Sequence, residues 1–301
     1  MTCASAGSPG LNVRAEKSAS PLELTPDEQA DHPWGRTAVR APVDAGRSAQ
    51  LAGARLWLDP DGRVHHRITP DEIGNDLAGW LGDLVAAGSL DPSAFEETFV
   101  AIVRDVDPGW TAFYRNTLAA LATGGTPGGT NAGMAPVHDR AVALALGPHV
   151  VELGCCFGFL SLRLAAEGHR VTAVDLVPGT AGLLASVSRT LATPVTTLAG
   201  DARRVPLATG AADTVLAVHL LEHLPRGADA VVLAEMLRVA RRRAVVAVPF
   251  EDEPDPAWGH VRTFDLADLD ALGAATGLPY TVEEHHGGWL VVDRAGARTA
   301  P

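Results

Sequence analysis

The amino-acid sequence predicts an α/β protein: a doubly wound, mostly parallel sheet with a small, mainly helical N-terminal region. Three observations carry that expectation. From residue 134 onward, helical stretches alternate with short apolar runs, among them "VTTLAGD", "ADTVLAVHL" and "RRAVVAVPF". Those runs are apolar almost throughout, as strands covered on both faces must be. Residues 150–176, "VVELGCCFGFLSLRLAAEGHRVTAVDL", form by themselves a strand, a glycine-bearing turn, a helix and a second strand.

Taken in order, residues 1–50 mix Ser, Ala, Gly, Pro and charges without periodicity, and read as a disordered or loosely packed arm in which Trp34 is the one candidate for docking. Residues 51–123 read as a hairpin followed by helices. "ARLWLDPDGRVHHRI", 54–68, places two strand-like runs around Asp59-Pro60-Asp61-Gly62, a turn sequence. Thr69 then stands as an N-cap, with Pro70 at the first helical position and Glu72 at the capping-box position. Ile73, Leu77, Trp80, Leu81, Leu84 and Val85 follow at helical spacing until Gly88. A second helix is expected from Asp91-Pro92 through Phe95, Phe99, Ile102, Val103 and Val106, and a third from Pro108 to about Thr123. Their aromatic residues read as core. Residues 124–133, rich in Gly and Thr, read as a flexible linker, and residues 134–301 as the α/β domain, closed by "LPYTVEEHHGGWLVVDR" as its last strands.

Composition narrows the function. At 301 residues the chain can bury a full core. A net charge of −12 argues against a nucleic-acid surface, which needs a basic face. Hydrophobic residues make up 47 % and mean hydropathy is +0.10, yet no apolar run reaches membrane-spanning length and the first fifty residues lack a signal-like apolar core, so no membrane partner and a cytoplasmic location are expected. The cysteines are Cys3, Cys155 and Cys156; adjacent thiols cannot staple distant segments, which excludes a disulfide scaffold. The single lysine, Lys17, lies in the arm. That removes P-loop, Schiff-base and Tyr-x-x-x-Lys chemistry from the folded region.

The β-α-β unit points to a ligand. A right-handed crossover brings the Gly154–Gly158 turn and Asp175, seventeen residues after Gly158, side by side at the carboxyl edge of the sheet. Glycines let a ligand approach backbone there, and a strand-end acid can accept two hydrogen bonds from a ribose diol. An adenosine-bearing cofactor fits both, with a ligand-free crossover as the alternative. A dinucleotide fits less well, because Gly-x-Gly-x-x-Gly laid from Gly154 puts Cys156 and Phe159 at its second and third glycines.

These residues resemble a class I S-adenosylmethionine-dependent methyltransferase, a Rossmann-like enzyme, over about residues 134–294. "VELGCCFGFLSLRLA" is similar to that family's Glu/Asp-x-Gly-x-Gly-x-Gly signature, "VTAVDL" to its ribose-binding acid, "AGDARRVPL" to its adenine-side segment and "DTVLAVHLLEHL" to its fourth strand and following loop. The resemblance implies S-adenosyl-L-methionine as cofactor. It implies Glu152 beside the methionine part, Gly154 and Gly158 along the turn, and Asp175 with Leu176 at the ribose side. Asp201 and Ala202 would lie against adenine, and His219 in the loop after the fourth strand. Cys156 takes the place of the family's middle glycine. More narrowly, "VPFEDEPDPAWGHVRTFDLADLDAL" and "GGWLVVDR", with the helical N-terminal region, resemble the methyltransferases of the mycofactocin oligosaccharide. This implies transfer to a sugar hydroxyl. Another small-molecule acceptor such as a phenol or carboxylate is the alternative, and a non-catalytic, regulatory binder of the cofactor is a third reading that the Cys156 departure keeps open.

A sugar hydroxyl needs a base as its new bond forms, and histidine suits that role. The candidates are His260, preferred, and His223, with Trp258 and Arg262 beside His260 as acceptor-binding residues. His219 to His223 also spell His-x-x-Glu-His, a zinc-peptidase pattern, but they directly follow a buried strand and Pro225 leaves no long helix, so no metal is expected. The doublets His65-His66 and His285-His286 read as surface residues on strands, and Glu251, Asp252, Glu253 and Asp255 as a solvated acidic loop.

Overall fold

The computed structural model describes residues 38–40, 50–51, 55–58 and 63–294. Within the expected N-terminal arm, Ala38–Arg40 (β1) and the first residue of Gln50–Leu51 (β2) are strands; Trp34 and the rest of 1–50 lie outside the described residues. Leu56–Leu58 (β3) and Val64–His66 (β4) pair antiparallel as the hairpin requires, and β1 adds parallel to β4, giving a small sheet of order β1-β4-β3-β2. The alternation of β4 turns His66 fully inward, its Nε2 3.3 Å from Asp105 Oδ2, while the His65 ring stacks on Trp57. His66 is therefore a core histidine and not a surface one, because the small sheet is covered by the helices that follow.

Glu72 does accept from the Thr69 N–H, but that turn stays isolated and the helix proper is Asp76–Ala86 (α1), one turn later, past Gly74. Phe95–Val106 (α2) follows a short turn capped by Asp91, and Thr111–Thr123 (α3) closes on Gly124. Thr130–Leu144 (α4) starts inside the segment read as a linker. Asp76 of α1 is the reason: its Oδ1 accepts from both the backbone and side-chain nitrogens of Asn131, so a tertiary partner holds the first turn of a glycine-rich helix.

The aromatic residues of this region pack as core. Phe113 and Tyr114 are fully buried, and Phe99, Trp110, Phe157 and Phe159 pack around them at centroid distances of 5.1–5.7 Å. Each such ring stabilises the fold by roughly 1.5–3 kcal/mol relative to exposure. Phe157 and Phe159 belong to the glycine-turn segment, so the N-terminal helices and that turn share one core.

The main sheet has seven strands: His149–Leu153 (β5), Arg170–Asp175 (β6), Val195–Ala199 (β7), Ala212–Val218 (β8), Ala240–Val248 (β9), Tyr280–Glu284 (β10) and Gly288–Asp293 (β11). Their order is β10-β11-β9-β8-β5-β6-β7, with β5 to β9 parallel and only β11 reversed against its neighbours. Phe159–Ala166 (α5), Pro178–Thr190 (α6), Ala228–Val239 (α7) and Leu266–Ala274 (α8) flank it. This is a Rossmann-like, doubly wound sheet. Strands β5 and β8 are buried along their whole length, which explains their largely apolar sequence. The chain runs outward from β5 to β7, then returns to β8 on the other side of β5. The crevice at that reversal, beyond the carboxyl ends of β5 and β8, is where such sheets bind ligands. His285 and His286 sit in the turn between β10 and β11, exposed, rather than on a strand. No helix among the described residues is long and apolar enough to cross a membrane.

Candidate active site

The loop after β5 is held by its own backbone. Gly154 and Cys155 donate to the Val174 carbonyl and Gly158 donates to the Cys155 carbonyl, so the turn is locked to the end of β6. Gly158 opens α5 in the left-handed region at φ +73°, and a Cβ there would strike Leu184 of α6. Cys156 is also left-handed, at φ +48°, a conformation that strains any residue with a Cβ; its side chain points to the surface instead of filling the turn. Asp175, at the end of β6, reaches across: Oδ2 accepts from the Cys156 N–H at 2.9 Å and Oδ1 from the Val177 N–H at 3.0 Å. Beside it Leu176 is 67 % exposed, an apolar side chain with nothing over it. Glu152 is buried on β5, accepts a short hydrogen bond from the Ser161 hydroxyl, and burial pushes its carboxyl up to about 7 against the lowering effect of that bond. Tyr114 of α3 donates to the Phe157 carbonyl at 2.8 Å and thereby ties the turn to the N-terminal helices.

The edge after β7 holds Asp201 and Ala202. Asp201 is clasped by Arg203 through backbone and guanidinium hydrogen bonds, which lower its carboxyl below the usual range.

On the other side of the reversal the loops after β8 and β9 meet. His219 leaves β8 in the left-handed region at φ +52°, its backbone N–H on the Ala247 carbonyl. Leu221–His223 is a single short turn, too short to present a zinc-peptidase pair from one helix. Glu222 is 0 % exposed and neither carboxylate oxygen has a hydrogen-bond partner; its Oε1 lies 4.0 Å from His219 Nδ1. Burial raises Glu222 to about 8, and burial lowers His219 to about 4, with His260 and His223 adding to the latter. His260 and His223 meet edge to face with ring centroids 4.9 Å apart. Glu251 accepts from His260 Nδ1 at 2.8 Å, and the Gly259 carbonyl from His223 Nδ1 at 3.2 Å. Carboxylate and carbonyl oxygens only accept, so each Nδ1 carries the hydrogen and each Nε2 keeps its lone pair. Burial and the His260 ring lower His223.

Two residues read as acceptor contacts behave differently from each other. Arg262 is only 6 % exposed: its guanidinium donates to Asp229 at 2.8 Å and lies 4.0 Å over the Phe264 ring. This corrects the expectation of an acceptor contact, since a buried, paired and stacked guanidinium braces the loop against α7. Trp258 keeps 36 % exposure and packs edge-on against Phe95 of α2 at 5.7 Å, joining the loop to the N-terminal helices. Glu251 departs from the solvated-loop reading by holding His260, whereas Asp252 and Glu253 are exposed. Ser161, Tyr114 and Glu222 escaped the sequence reading of the site. Only Glu222 left a signal there, its place between His219 and His223.

With the geometry in hand, the chain can be set beside known proteins. Residues 151–248 match the family profile described as "Methyltransferase domain". The matched stretch runs from β5 to the end of β9 in the main sheet. None of the curated proteins matches the chain. Among solved structures, the chain is similar to magnesium protoporphyrin IX methyltransferase of Synechocystis PCC 6803 with bound S-adenosylhomocysteine, at 18 % identity over 65 % of this chain and 100 % of that one, TM-score 0.46. It is also similar to a SAM-dependent methyltransferase of Aquifex aeolicus, at 16 % identity over 58 % of this chain and 96 % of that one, TM-score 0.45.

Proposed function

We propose that the protein methylates a sugar hydroxyl in the cytoplasm and that its acceptor is the mycofactocin oligosaccharide. The observation that carries a hydroxyl acceptor is the His260–Glu251 pair, an imidazole oriented by a carboxylate at 2.8 Å in the loop facing the crevice. The oligosaccharide rests on the resemblance of residues 248–272 and 287–294.

The crevice residues fit S-adenosylmethionine, the methyl donor that this reading requires. Each oxygen of Asp175 has accepted one backbone N–H and retains a lone pair for a ribose hydroxyl. Leu176 offers an uncovered apolar face for adenine, with Asp201 and Ala202 along the same edge. Glu152, Gly154, Cys156 and Gly158 form the wall for the methionine part, and His219 the opposite side. The surface orientation of Cys156 explains how a side chain is tolerated at the middle glycine position. When bound, S-adenosylmethionine supplies a methyl group on a sulfonium, an already activated leaving group.

What remains for the chain is positioning and proton removal. The His223–His260 pair receives the acceptor oxygen and handles its proton, with Glu251 fixing the His260 ring. Trp258 lends an apolar face for the sugar ring, and its packing on Phe95 makes the N-terminal helices one wall of the acceptor pocket. Arg262 holds the loop in place through Asp229.

Calorimetric titration with S-adenosylmethionine and S-adenosylhomocysteine tests the cofactor site. Asp175→Ala is expected to weaken binding by about tenfold or more, on the order of 1.4 kcal/mol. Incubation with labelled S-adenosylmethionine and oligosaccharide acceptors then tests the reaction. Binding without transfer to any glycan would shift the reading to another small-molecule acceptor or to a regulatory binder; absence of binding would remove the cofactor assignments.

A further inference from the structure

The mechanism above leaves Glu222 unexplained. A buried carboxyl group with no hydrogen bond to either oxygen is costly to keep in a folded protein, and it persists where something else completes it. Its neighbours indicate what. Ligand atoms of Glu222, His223 and His260 lie within 4.8 Å of one another, close enough to converge on a single ion. Both histidines are arranged as metal ligands usually are: the Nδ1–H of one is taken by the Glu251 carboxylate and that of the other by the Gly259 carbonyl, which leaves both Nε2 lone pairs to bind.

We propose that Glu222, His223 and His260 bind a divalent first-row transition cation that receives the acceptor hydroxyl. The inference rests on the reading that the acceptor oxygen lies against this histidine pair, and it has the pair hold the cation while the acceptor proton leaves to water instead of passing to an imidazole. Two imidazoles and one carboxylate suit Zn²⁺, Mn²⁺ or their neighbours better than Mg²⁺ or Ca²⁺, which prefer all-oxygen sites. Three protein ligands leave coordination positions open, as a site that must take a substrate oxygen requires. There the cation draws charge from the hydroxyl oxygen. As the oxygen–methyl bond forms and the sulfonium–methyl bond breaks, the electron pair of the latter stays on sulfur and the hydroxyl proton passes to water. Glu251 is a positioning residue, aiming His260 at the ion. The site differs from the zinc-peptidase pattern in the same sequence, because His219 is not a member and His260 comes from a separate loop.

The test uses the full-length chain stripped with a chelator and titrated calorimetrically with Zn²⁺ alone and with Mn²⁺ alone, with S-adenosylhomocysteine binding measured in parallel. One cation per chain is expected. Glu222→Gln and His260→Asn should each weaken it by about tenfold or more, while S-adenosylhomocysteine binding persists and reports an intact fold. A variant with His285 and His286 both changed to Ala should bind as the wild type does. Stripped protein that binds S-adenosylhomocysteine but takes up no stoichiometric cation overturns the proposal and leaves the methyltransferase reading standing. So does cation binding that survives Glu222→Gln and His260→Asn but is lost with the His285-His286 doublet. Failure of S-adenosylhomocysteine binding by folded wild type would strike the cofactor site instead, whatever the cation does.

Discussion

The two sides of the crevice are finished to different degrees. On the β5–β6 side the loop closes upon itself: Val174, Cys155 and Asp175 accept every turn hydrogen bond described above, and Tyr114 tethers the remaining carbonyl. On the β8–β9 side buried polar atoms stand without partners, namely both oxygens of Glu222, Nε2 of His219 and Nε of Arg262. A segment that satisfies itself is stable alone and can be rigid before anything binds. A segment that leaves groups unsatisfied spends stability to keep them available, and its structure is complete only with its ligand.

Substitutions should separate the two sides. The largest effect is expected from His260→Ala on the unfinished side: methyl transfer falls by about 10²–10⁴-fold in a steady-state assay, with S-adenosylmethionine affinity retained. Gly158→Ala, on the finished side, should destabilise the protein by about 2 kcal/mol in a urea melt, through the left-handed backbone and the contact with Leu184. Glu222→Met should do the opposite. Replacing an unpartnered buried carboxyl by an apolar chain of similar size is expected to stabilise by about 1–2 kcal/mol while methyl transfer is lost. A destabilised Glu222→Met would break the comparison. Tyr114→Phe removes the tether and leaves the Phe157 carbonyl unsatisfied, at a cost of about 1 kcal/mol.

The smallest effect is a pH slope. His138 of α4 is buried, and burial, reinforced by Arg163 and His219, holds it down at about 4. The unfolded chain therefore takes up this proton first, at the ordinary histidine value near 6.5. The associated stability is present above that value and drains away as pH falls toward 4. Urea midpoints at several pH values should fall more steeply for wild type than for His138→Gln across that window.

The parallel sheet and the glycine turn were legible in the sequence because their signals are local: apolar runs mark strands buried on two faces, and Asp175 follows its turn by one helix and one strand. The Glu251–His260 pair was half legible, since histidine announced itself but nothing near Glu251 distinguished it from Asp252. Arg262 was misread for a tertiary reason. Its ion-pair partner, Asp229, comes from a distant helix, while the Phe264 ring it stacks on is only two residues away. The helical start at Thr130 and the inward His66 were hidden similarly, one waiting on Asp76 and the other on the helices that cover the small sheet. Residues whose role depends on what another element brings to them carry little trace of it in their own neighbourhood.

Phe157 lies between Cys156 and Gly158, yet its ring is packed among the aromatic side chains of α2 and α3. The N-terminal helices are consequently not a module that can be cut away or exchanged at the gene level. A chain begun at residue 134 would present Phe157 and Phe159 to water, and a foreign helical region grafted in front would need to rebuild a socket for those rings. Changes in that region would, through Phe157, also shift the turn between Cys156 and Gly158.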